Sequence, residues 1–341
     1  MKKGRATLKD MAQRLKVSPS TVSRALNDHP GIGPETKAAV KQLAAQLDYQ
    51  PNPMALGLLQ KKSNTIGVIV PEITGHFFSA IITAIQDVIG PTPYNIMVCT
   101  SNESYTEEVT LVKKLSRMRV DGILVSPASG TQDFDHFAKL QKNDIPVVVF
   151  DRDCPGLETD KVLVDDYAGA FQAVDYLIRS GCKRVAHLGG PLNLSTTKHR
   201  LQGYLDALEK NQVPLRGEYI QHLKGFSHKD GLKPAKRLLD LECPPDAIFA
   251  INDNIAASAM HQAKKKGLSI PGDISIVGFD DDPHSLYFSP SLSSVWQPVY
   301  NLGMLSARIL LERIGNRDAP QGFRREVFIP ELVIRGTSRE L

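Results

Sequence analysis

Apolar residues recur at helical spacing over the first fifty positions of the chain and fall into short continuous runs after residue 64. The helical spacing, in which apolar side chains return every three or four residues, covers residues 8–15, 17–26 and 40–47. This pattern predicts an all-α head of three short helices, residues 1–50.

Start signals stand in front of each predicted helix, and Gly33 and Pro34 begin the third. Thr7 is placed to cap the first, with Asp10 three residues later as its capping-box partner. Ser18 is placed to cap the second, and Pro19 occupies the first helical position, where its missing N–H costs nothing. Only residues 16–18 separate the two helices, a spacing typical of a helix-turn-helix.

After residue 64 the apolar runs alternate with segments of helix length. The runs are short and rich in β-branched residues: 66–70, 96–100, 122–126, 146–150, 162–164, and then 184–190, 248–252 and 274–280. Continuously apolar strands with helices between them indicate parallel sheets covered on both faces. Two such series predict an α/β body of two lobes, residues 64–341.

Charge is distributed unevenly along the chain. Residues 1–62 hold eleven Lys or Arg and four Asp or Glu, a net +7, so the remainder carries −3 of the total +4. A small basic module on a mildly acidic body is the distribution expected when one part of a protein binds phosphates. On charge alone, an ordinary solvated basic surface remains the alternative.

Composition argues against several other protein classes. No run approaches the roughly 18 apolar residues of a membrane span, and the first residues lead into a polar segment instead of a signal-peptide core. We therefore expect a cytoplasmic protein with no membrane partner. Cys99, Cys154, Cys182 and Cys243 lack metal-like spacing and lie in or beside apolar runs. We expect four reduced core or near-core thiols, no metal site and no cofactor.

The outward face of the second predicted helix carries side chains suited to DNA: Ser20, Thr21, Ser23, Arg24 and Asn27. Arg24 can direct two N–H groups at guanine O6 and N7, while the hydroxyls and the helix N-terminus can bind phosphate oxygens. Each residue taken alone is more readily an ordinary surface residue. The run as a whole favours a recognition helix.

Residues 7–27, TLKDMAQRLKVSPSTVSRALN, followed by Tyr49, Pro51 and Asn52, resemble the lactose-repressor and galactose-repressor (LacI/GalR) family. The resemblance implies a homodimeric regulator whose two heads read the half-sites of a palindromic operator in double-stranded DNA. It places Ser20 and Arg24 at base-reading positions. The DNA contacts that we expect are Thr7, Ser18, Ser20, Thr21, Ser23, Arg24 and Asn27, with Leu58 in the hinge.

Residues 51–63 are predicted to form a hinge helix and linker. Asn52 and Pro53 provide a helix start, but so short a helix, with Gly57 inside it, is marginal in water. We expect it to be poorly ordered without DNA. By the resemblance, Leu58 inserts between base steps in the minor groove and kinks the duplex. The alternative is an apolar linker helix that docks on the body.

The resemblance extends to the body and implies a lobe pair of the periplasmic-binding-protein type with three crossovers. The implied N-lobe covers about residues 64–165 and 297–327, and the C-lobe about 166–296 and 328–341. In open α/β sheets a ligand binds beyond the carboxyl ends of the strands. A cleft between the lobes is therefore the expected ligand site.

Polar residues stand at the predicted strand ends, and Arg200 is placed to face them. Seven residues match the family's effector contacts by motif: Arg200 and Asp280 as the principal pair, Asp165, Thr196 and Asn252 as further polar contacts, and Phe78 and Phe226 as aromatic walls. Acids and amides beside an aromatic face suit a sugar-like small-molecule effector. The alternative role for each Asp is a helix N-cap.

Two other classes share parts of this pattern. Carboxylates in a cleft also serve glycoside hydrolysis, but no GxSxG, HExxH, GxxxxGK[ST] or strand-to-helix GxGxxG motif supports an enzyme. A solute-binding protein shares the body but needs an export signal and has no use for the basic head. A regulator that answers to a partner protein or phosphometabolite stays open. No leucine heptads follow Arg335, so we expect a dimer without a tetramerisation coil.

Overall fold

The computed structural model describes residues 6–49, 63–316 and 322–341 and separates the chain into two units, Met1–Ser63 and Asn64–Leu341. The predicted hinge helix, Leu58 included, lies outside the described residues. In the described residues the first unit is all-α and the second is α/β, which confirms the predicted fold class.

The head contains the three predicted helices: α1 (Leu8–Leu15), α2 (Pro19–Leu26) and α3 (Pro34–Gln46). The predicted capping box is present, since Asp10 N donates to Thr7 Oγ1 at 3.3 Å and Thr7 N donates to Asp10 Oδ2 at 2.8 Å. Ser18 Oγ accepts from Thr21 N at 3.1 Å and caps α2. The apolar stripes meet in a small core whose buried members are Met11, Ala12, Val22, Ala25 and Val40.

Two six-stranded sheets are seen in the described part of the body. Their strands, in chain order, are β1 (Thr65–Val70), β2 (Asn95–Thr100), β3 (Gly122–Val125), β4 (Val147–Phe150), β5 (Asp160–Val164), β6 (Val185–Gly189), β7 (Ile220–His222), β8 (Ala247–Ala250), β9 (Ser275–Asp280), β10 (Ser293–Trp296), β11 (Arg325–Phe328) and β12 (Glu331–Val333). The sheet orders are β11-β5-β4-β3-β1-β2 and β12-β10-β9-β8-β6-β7. In the first sheet Val68 of β1 pairs with Val98 on one side and Leu124 on the other. Two mainly parallel sheets confirm the prediction of two lobes.

One strand pair departs from the predicted parallel arrangement. β12 runs antiparallel to β10, pairing Val295 with Leu332. Only Ile329 and Pro330 separate β11 from β12, so the chain leaves the first sheet at the carboxyl ends of its strands and enters the second sheet from that same side. β10 ends where β12 begins, and the two strands must therefore run in opposite directions.

Helices cover both faces of each sheet. They are α4 (His76–Ile89), α5 (Tyr105–Arg117), α6 (Asp135–Gln141), α7 (Asp166–Arg179), α8 (Ser195–Lys210), α9 (His228–Leu239), α10 (Asp253–Lys265) and α11 (Val299–Gly315). Because of this double cover every residue of β3, β4 and β8 is buried, as their continuous apolar runs predict. None of the helices in the described residues is long and apolar enough to cross a membrane.

The four cysteines are free thiols in different environments. Cys154 and Cys182 are buried and Cys99 is half-buried, as expected for core or near-core residues. Cys243 is exposed, so the expectation is wrong for this residue. It lies in the turn before β8, where the adjacent Glu242 and Pro244 are also exposed, and its carbonyl accepts from Tyr219 Oη at 2.7 Å.

Candidate functional site

A cleft of about 670 Å³ opens at the carboxyl ends of the strands of both sheets. Its inner wall contains side chains that directly follow a strand or end one. Asp151 and Arg152 follow β4, Asn252 lies two residues after β8, and Asp280 ends β9. The ends of parallel strands therefore bring together residues that are more than one hundred positions apart in the chain.

Arg200 on α8 is fixed inside this cleft by several partners. Its side chain is buried, and Nε donates to Asp166 Oδ1 at 2.7 Å. Nη1 donates to the Ile251 carbonyl and lies 3.9 Å from Asp280 Oδ1. The guanidinium carbon stands 3.6 Å from the centre of the Phe279 ring. Such a pre-oriented planar donor suits vicinal hydroxyls or other paired acceptors.

Asp280 combines backbone strain with an unfavourable electrostatic environment. Its φ is +105°, a value that residues other than glycine rarely adopt. Gln297 Nε2 donates to its Oδ1 at 2.7 Å. Burial raises the pKa of its carboxyl well above the ordinary value, against the lowering effect of Arg200. Strain and a perturbed pKa in a cleft are features typical of a functional residue.

Asp151 and Arg152 form the opposite side of the cleft. Ser126 Oγ donates to Asp151 Oδ2 at 2.9 Å, and burial raises the pKa of Asp151 to about 6 despite the neighbouring Arg152. Arg152 donates through both terminal nitrogens to Glu103, at 2.8 and 2.9 Å. Its guanidinium lies 5.4 Å from the centre of the Phe226 ring. This side therefore also has a buried, ordered polar surface.

Six of the seven residues predicted as effector contacts line the cleft: Phe78, Thr196, Arg200, Phe226, Asn252 and Asp280. Asp165 does not. Its carboxylate accepts from Ala168 N at 2.9 Å and caps α7, whereas the next residue, Asp166, holds Arg200. Asn252 also caps a helix, since its Oδ1 accepts from Ile255 N at 3.0 Å.

Asp151, Glu103 and Gln297 also belong to this site, although none of them was predicted from the sequence as a contact. The strand-end rule identifies Asp151 when it is applied to the run at residues 146–150, and it identifies Gln297 once β10 is recognised. No local signal marks Glu103, because it reaches Arg152 from a loop 49 residues away.

The two walls of the cleft touch directly at one end. Asp153 N, on the side of the first sheet, donates to Ser195 Oγ at the start of α8 at 3.0 Å. Asn193 Nδ2 donates to the carbonyl of Ser129 across the same gap. These bonds join the two lobes beside the cleft.

The predicted DNA contacts lie on or beside α2. Ser20, Arg24 and Asn27 are exposed, and Thr21 and Ser23 are half-buried. Ser18 Oγ shares hydrogen bonds with Ser20 Oγ at 2.7 Å and Thr21 Oγ1 at 2.8 Å, so hydroxyls cluster at the helix N-terminus. Thr7 Oγ1 is bonded to Asp10 in the capping box. Among the described residues no acidic side chain pairs with Arg24, which leaves its charge directed to solvent.

Two family models match the chain. The model of bacterial regulatory proteins of the lacI family matches residues 7–52, and that of periplasmic binding protein-like domains matches residues 174–338. The HTH-type transcriptional repressor CytR of Escherichia coli (strain K12) is 34% identical over 336 residues, which cover 98% of this chain and 97% of that protein.

Solved structures resemble the whole chain. The lac repressor dimer bound to operator and the anti-inducer ONPF matches with a TM-score of 0.84 and 26% identity, covering 99% of this chain and 100% of that one. The complex of the transcriptional regulator CelR with cellobiose matches with a TM-score of 0.74 and 27% identity, covering 98% and 100%. Both resemblances include the head and the body.

Proposed function

The chain belongs to the LacI family of bacterial regulatory proteins, and on that premise we propose that it is a homodimeric, cytoplasmic transcriptional repressor that binds a palindromic operator and responds to a sugar or sugar derivative. We assign DNA binding to residues 1–50, hinge function to 51–63, and effector binding and dimerisation to 64–341. Catalysis has no part in this assignment.

The observation that carries the proposal is the presence of two separate polar surfaces in one chain, each suited to a different ligand. On α2, Arg24 projects beside clustered hydroxyls from a basic head. In the body, Arg200 and Asp280 face a cleft with Phe226 on its wall. The first surface suits the edges and phosphates of duplex DNA, and the second suits a small hydroxylated ligand.

Operator binding is tested by fluorescence anisotropy of a labelled palindromic duplex from the upstream region of the gene. Arg24→Ala removes a base-reading fork and should weaken binding by about 1–3 kcal/mol, roughly 5- to 150-fold. Lys41→Ala is the matched control, because Lys41 lies on α3 and is bonded to Asp28 at 2.7 Å. Equal losses from both variants would assign α2 no special role in reading bases.

The hinge is tested with the same duplex. Leu58→Ala should weaken operator binding strongly and leave effector binding unchanged, because the proposed wedge acts only on DNA. An unchanged operator affinity would exclude the wedge and favour the alternative of a linker helix.

Effector binding is tested by calorimetry with a panel of sugars. Phe226→Ala removes an aromatic wall and should weaken binding of whichever sugar the wild type takes up. Asp165→Asn is the matched control, since Asp165 caps α7 outside the cleft and Asn caps helices equally well. If both variants bind the sugar like the wild type, the effector site is not this cleft.

Effector and operator are proposed to communicate through the angle between the lobes. A ligand held by both lobes changes their angle, this alters the spacing of the two hinges in the dimer, and hinge folding changes DNA affinity. The coupling is reciprocal, so a ligand that weakens operator binding must bind less tightly to the operator complex. Anisotropy with and without the sugar gives the sign of the coupling.

A further inference from the structure

The interior of the cleft holds more carboxylates than cations. The ionisable side chains that line this interior are Asp151, Asp280 and Glu103, which are acidic, and Arg152 and Arg200, which are basic; a fourth acid, Asp166, is bonded to Arg200. Each guanidinium already has a close carboxylate partner. Arg152 is bonded to Glu103 at 2.8 Å, and Arg200 is bonded to Asp166 at 2.7 Å. Asp151 and Asp280 lie farther from the guanidiniums, at 3.7 Å from Arg152 and 3.9 Å from Arg200.

Asp151 and Asp280 both line the cleft, and each has one carboxylate oxygen whose contacts are known. In Asp151, Oδ2 accepts from Ser126 and lies 3.7 Å from Arg152 Nε. In Asp280, Oδ1 accepts from Gln297 and lies 3.9 Å from Arg200 Nη1. No hydrogen bond from the described residues reaches Oδ1 of Asp151 or Oδ2 of Asp280. When these carboxyls are ionised they only accept hydrogen bonds, so the matching ligand groups are donors.

We propose that this cleft selects by charge: it takes up uncharged or ammonium-bearing polyols and rejects sugars that carry a carboxylate or phosphate. The inference rests on the proposed effector function and narrows its ligand class. A hydroxyl or ammonium group can donate to Asp151 from one side and to Asp280 from the other. An anionic group at the same place adds a like charge to a site that already holds four carboxyl groups against two guanidiniums.

The charged groups around this interior do not change its excess of negative over positive charge. Asp253 lies behind Asp280, accepting from Ser294 Oγ at 2.6 Å and Ser285 Oγ at 2.9 Å, and adds a further carboxyl. The cleft mouth carries both signs: Lys224, His76, His228 and His284 on one hand, and Glu72, Asp230 and Asp282 on the other. His284 is bonded to Asp282 at 2.7 Å. A basic mouth that would gather anions is therefore absent from the described residues.

Neighbouring carboxyl groups contribute to the raised pKa of both acids, in the same direction as burial and against the nearby guanidiniums. Burial is the main cause that raises the pKa of Asp280, and the neighbouring Asp253 and Asp151 raise it further. Burial also raises the pKa of Asp151 to about 6, with a further upward contribution from Asp166. A ligand ammonium group would interact favourably with the ionised form of these carboxyls.

The test is calorimetry at pH 8 with sugars matched in stereochemistry: D-galactose, D-galactosamine and D-galacturonate, and the corresponding D-gluco series. In a series that binds, the uronate should bind roughly 100-fold more weakly than the uncharged sugar, as expected for like charges a few ångströms apart. Asp280→Asn should reduce this discrimination. A uronate that binds wild-type protein as tightly as the uncharged sugar would overturn the inference.

A second measurement needs no ligand and separates this inference from the proposed function. If like charges repel in the cleft, Asp280→Asn should raise the midpoint of thermal unfolding at pH 8 more than at pH 5, and Asp151→Asn should do the same. Asp165→Asn, outside the cleft, is the control and should show no such difference. Lower stability of both cleft variants at pH 8 overturns the inference. If both variants are stabilised at pH 8 but no sugar binds in calorimetry, this inference is supported and the assignment of a sugar effector is wrong.

Discussion

The buried pair of Arg200 and Asp166 allows the effector role of Arg200 to be separated from its structural role. Arg200→Met keeps the aliphatic length of the side chain and removes the bond of 2.7 Å to Asp166, the bond to the Ile251 carbonyl and the contact with the Phe279 ring. Asp166 would then be a buried carboxylate without its cation.

The expected loss of stability follows from the buried carboxylate of Asp166 that has lost its cation. Removing one partner of a buried, hydrogen-bonded ion pair typically costs 3–5 kcal/mol, so we expect Arg200→Met to lower the free energy of unfolding by about 4 kcal/mol. Asp166→Asn in the same chain removes the stranded carboxylate. The double variant should therefore regain about 2 kcal/mol relative to the sum of the two single changes.

The assay is urea unfolding at pH 7, followed by circular dichroism. Lys210→Met is the matched control on the same helix, because Lys210 is exposed and Asp175, 3.1 Å from it, keeps a hydrogen bond from Asn211 when Lys210 is replaced. It should change stability by less than about 1 kcal/mol. If Arg200→Met costs no more than Lys210→Met, or if the two changes at Arg200 and Asp166 are strictly additive, the pair does not couple as argued.

The same set of single and double variants decides how effector experiments on Arg200 are interpreted. A loss of effector response in Arg200→Met alone would be ambiguous, because a destabilised C-lobe also loses the response. A loss that persists in the double variant, once its stability is recovered, assigns Arg200 to ligand binding. A response that returns with stability assigns it to the scaffold.

Three further predictions concern other parts of the chain. Thr7→Ala removes the capping box and should lower head stability by about 1 kcal/mol, measured by the loss of helical circular dichroism on heating. Burial lowers the pKa of His187 to about 4, so as the pH falls the unfolded chain binds a proton before the folded chain does. The free energy of unfolding should therefore drop by about 2 kcal/mol from pH 7.5 to 5. His187→Phe should remove that drop, measured by urea unfolding. Gly303→Ala would place Cβ 2.5 Å from the Ile81 carbonyl where α11 packs on α4 and should cost roughly 1–3 kcal/mol, whereas Gly315→Ala, with open space around it, should cost little in the same assay.

Local chemistry made the head predictable from sequence. Thr7 and Ser18 act on backbone N–H groups three residues away, so their capping roles depend only on spacing. The strands of the body were predictable for a similar reason, because burial on both faces requires a continuous apolar run. β12 was not, since its direction depends on where the chain crosses between two sheets.

The site was less predictable because side-chain direction at a helix start changes with every residue. Asp165 and Asp166 are adjacent acids, and the sequence does not say which of them is the N-cap. The helix begins at Asp166, so Asp165 turns back to the Ala168 N–H and Asp166 reaches Arg200. Glu103 shows a different limit, because its partner Arg152 is set by tertiary packing and not by spacing.

The placement of Asp151 and Asp280 suggests why a ligand in this cleft can act as a signal. Asp151 follows a strand of one sheet, and Asp280 ends a strand of the other. A ligand that donates to only one of them interacts equally with open and closed arrangements of the lobes and shifts neither population. A ligand with donors at both ends binds best at one separation of Asp151 and Asp280. The effector must therefore span the cleft. Two sugars that differ in one hydroxyl at either end should differ more in how they change operator affinity than in how tightly they bind the isolated body.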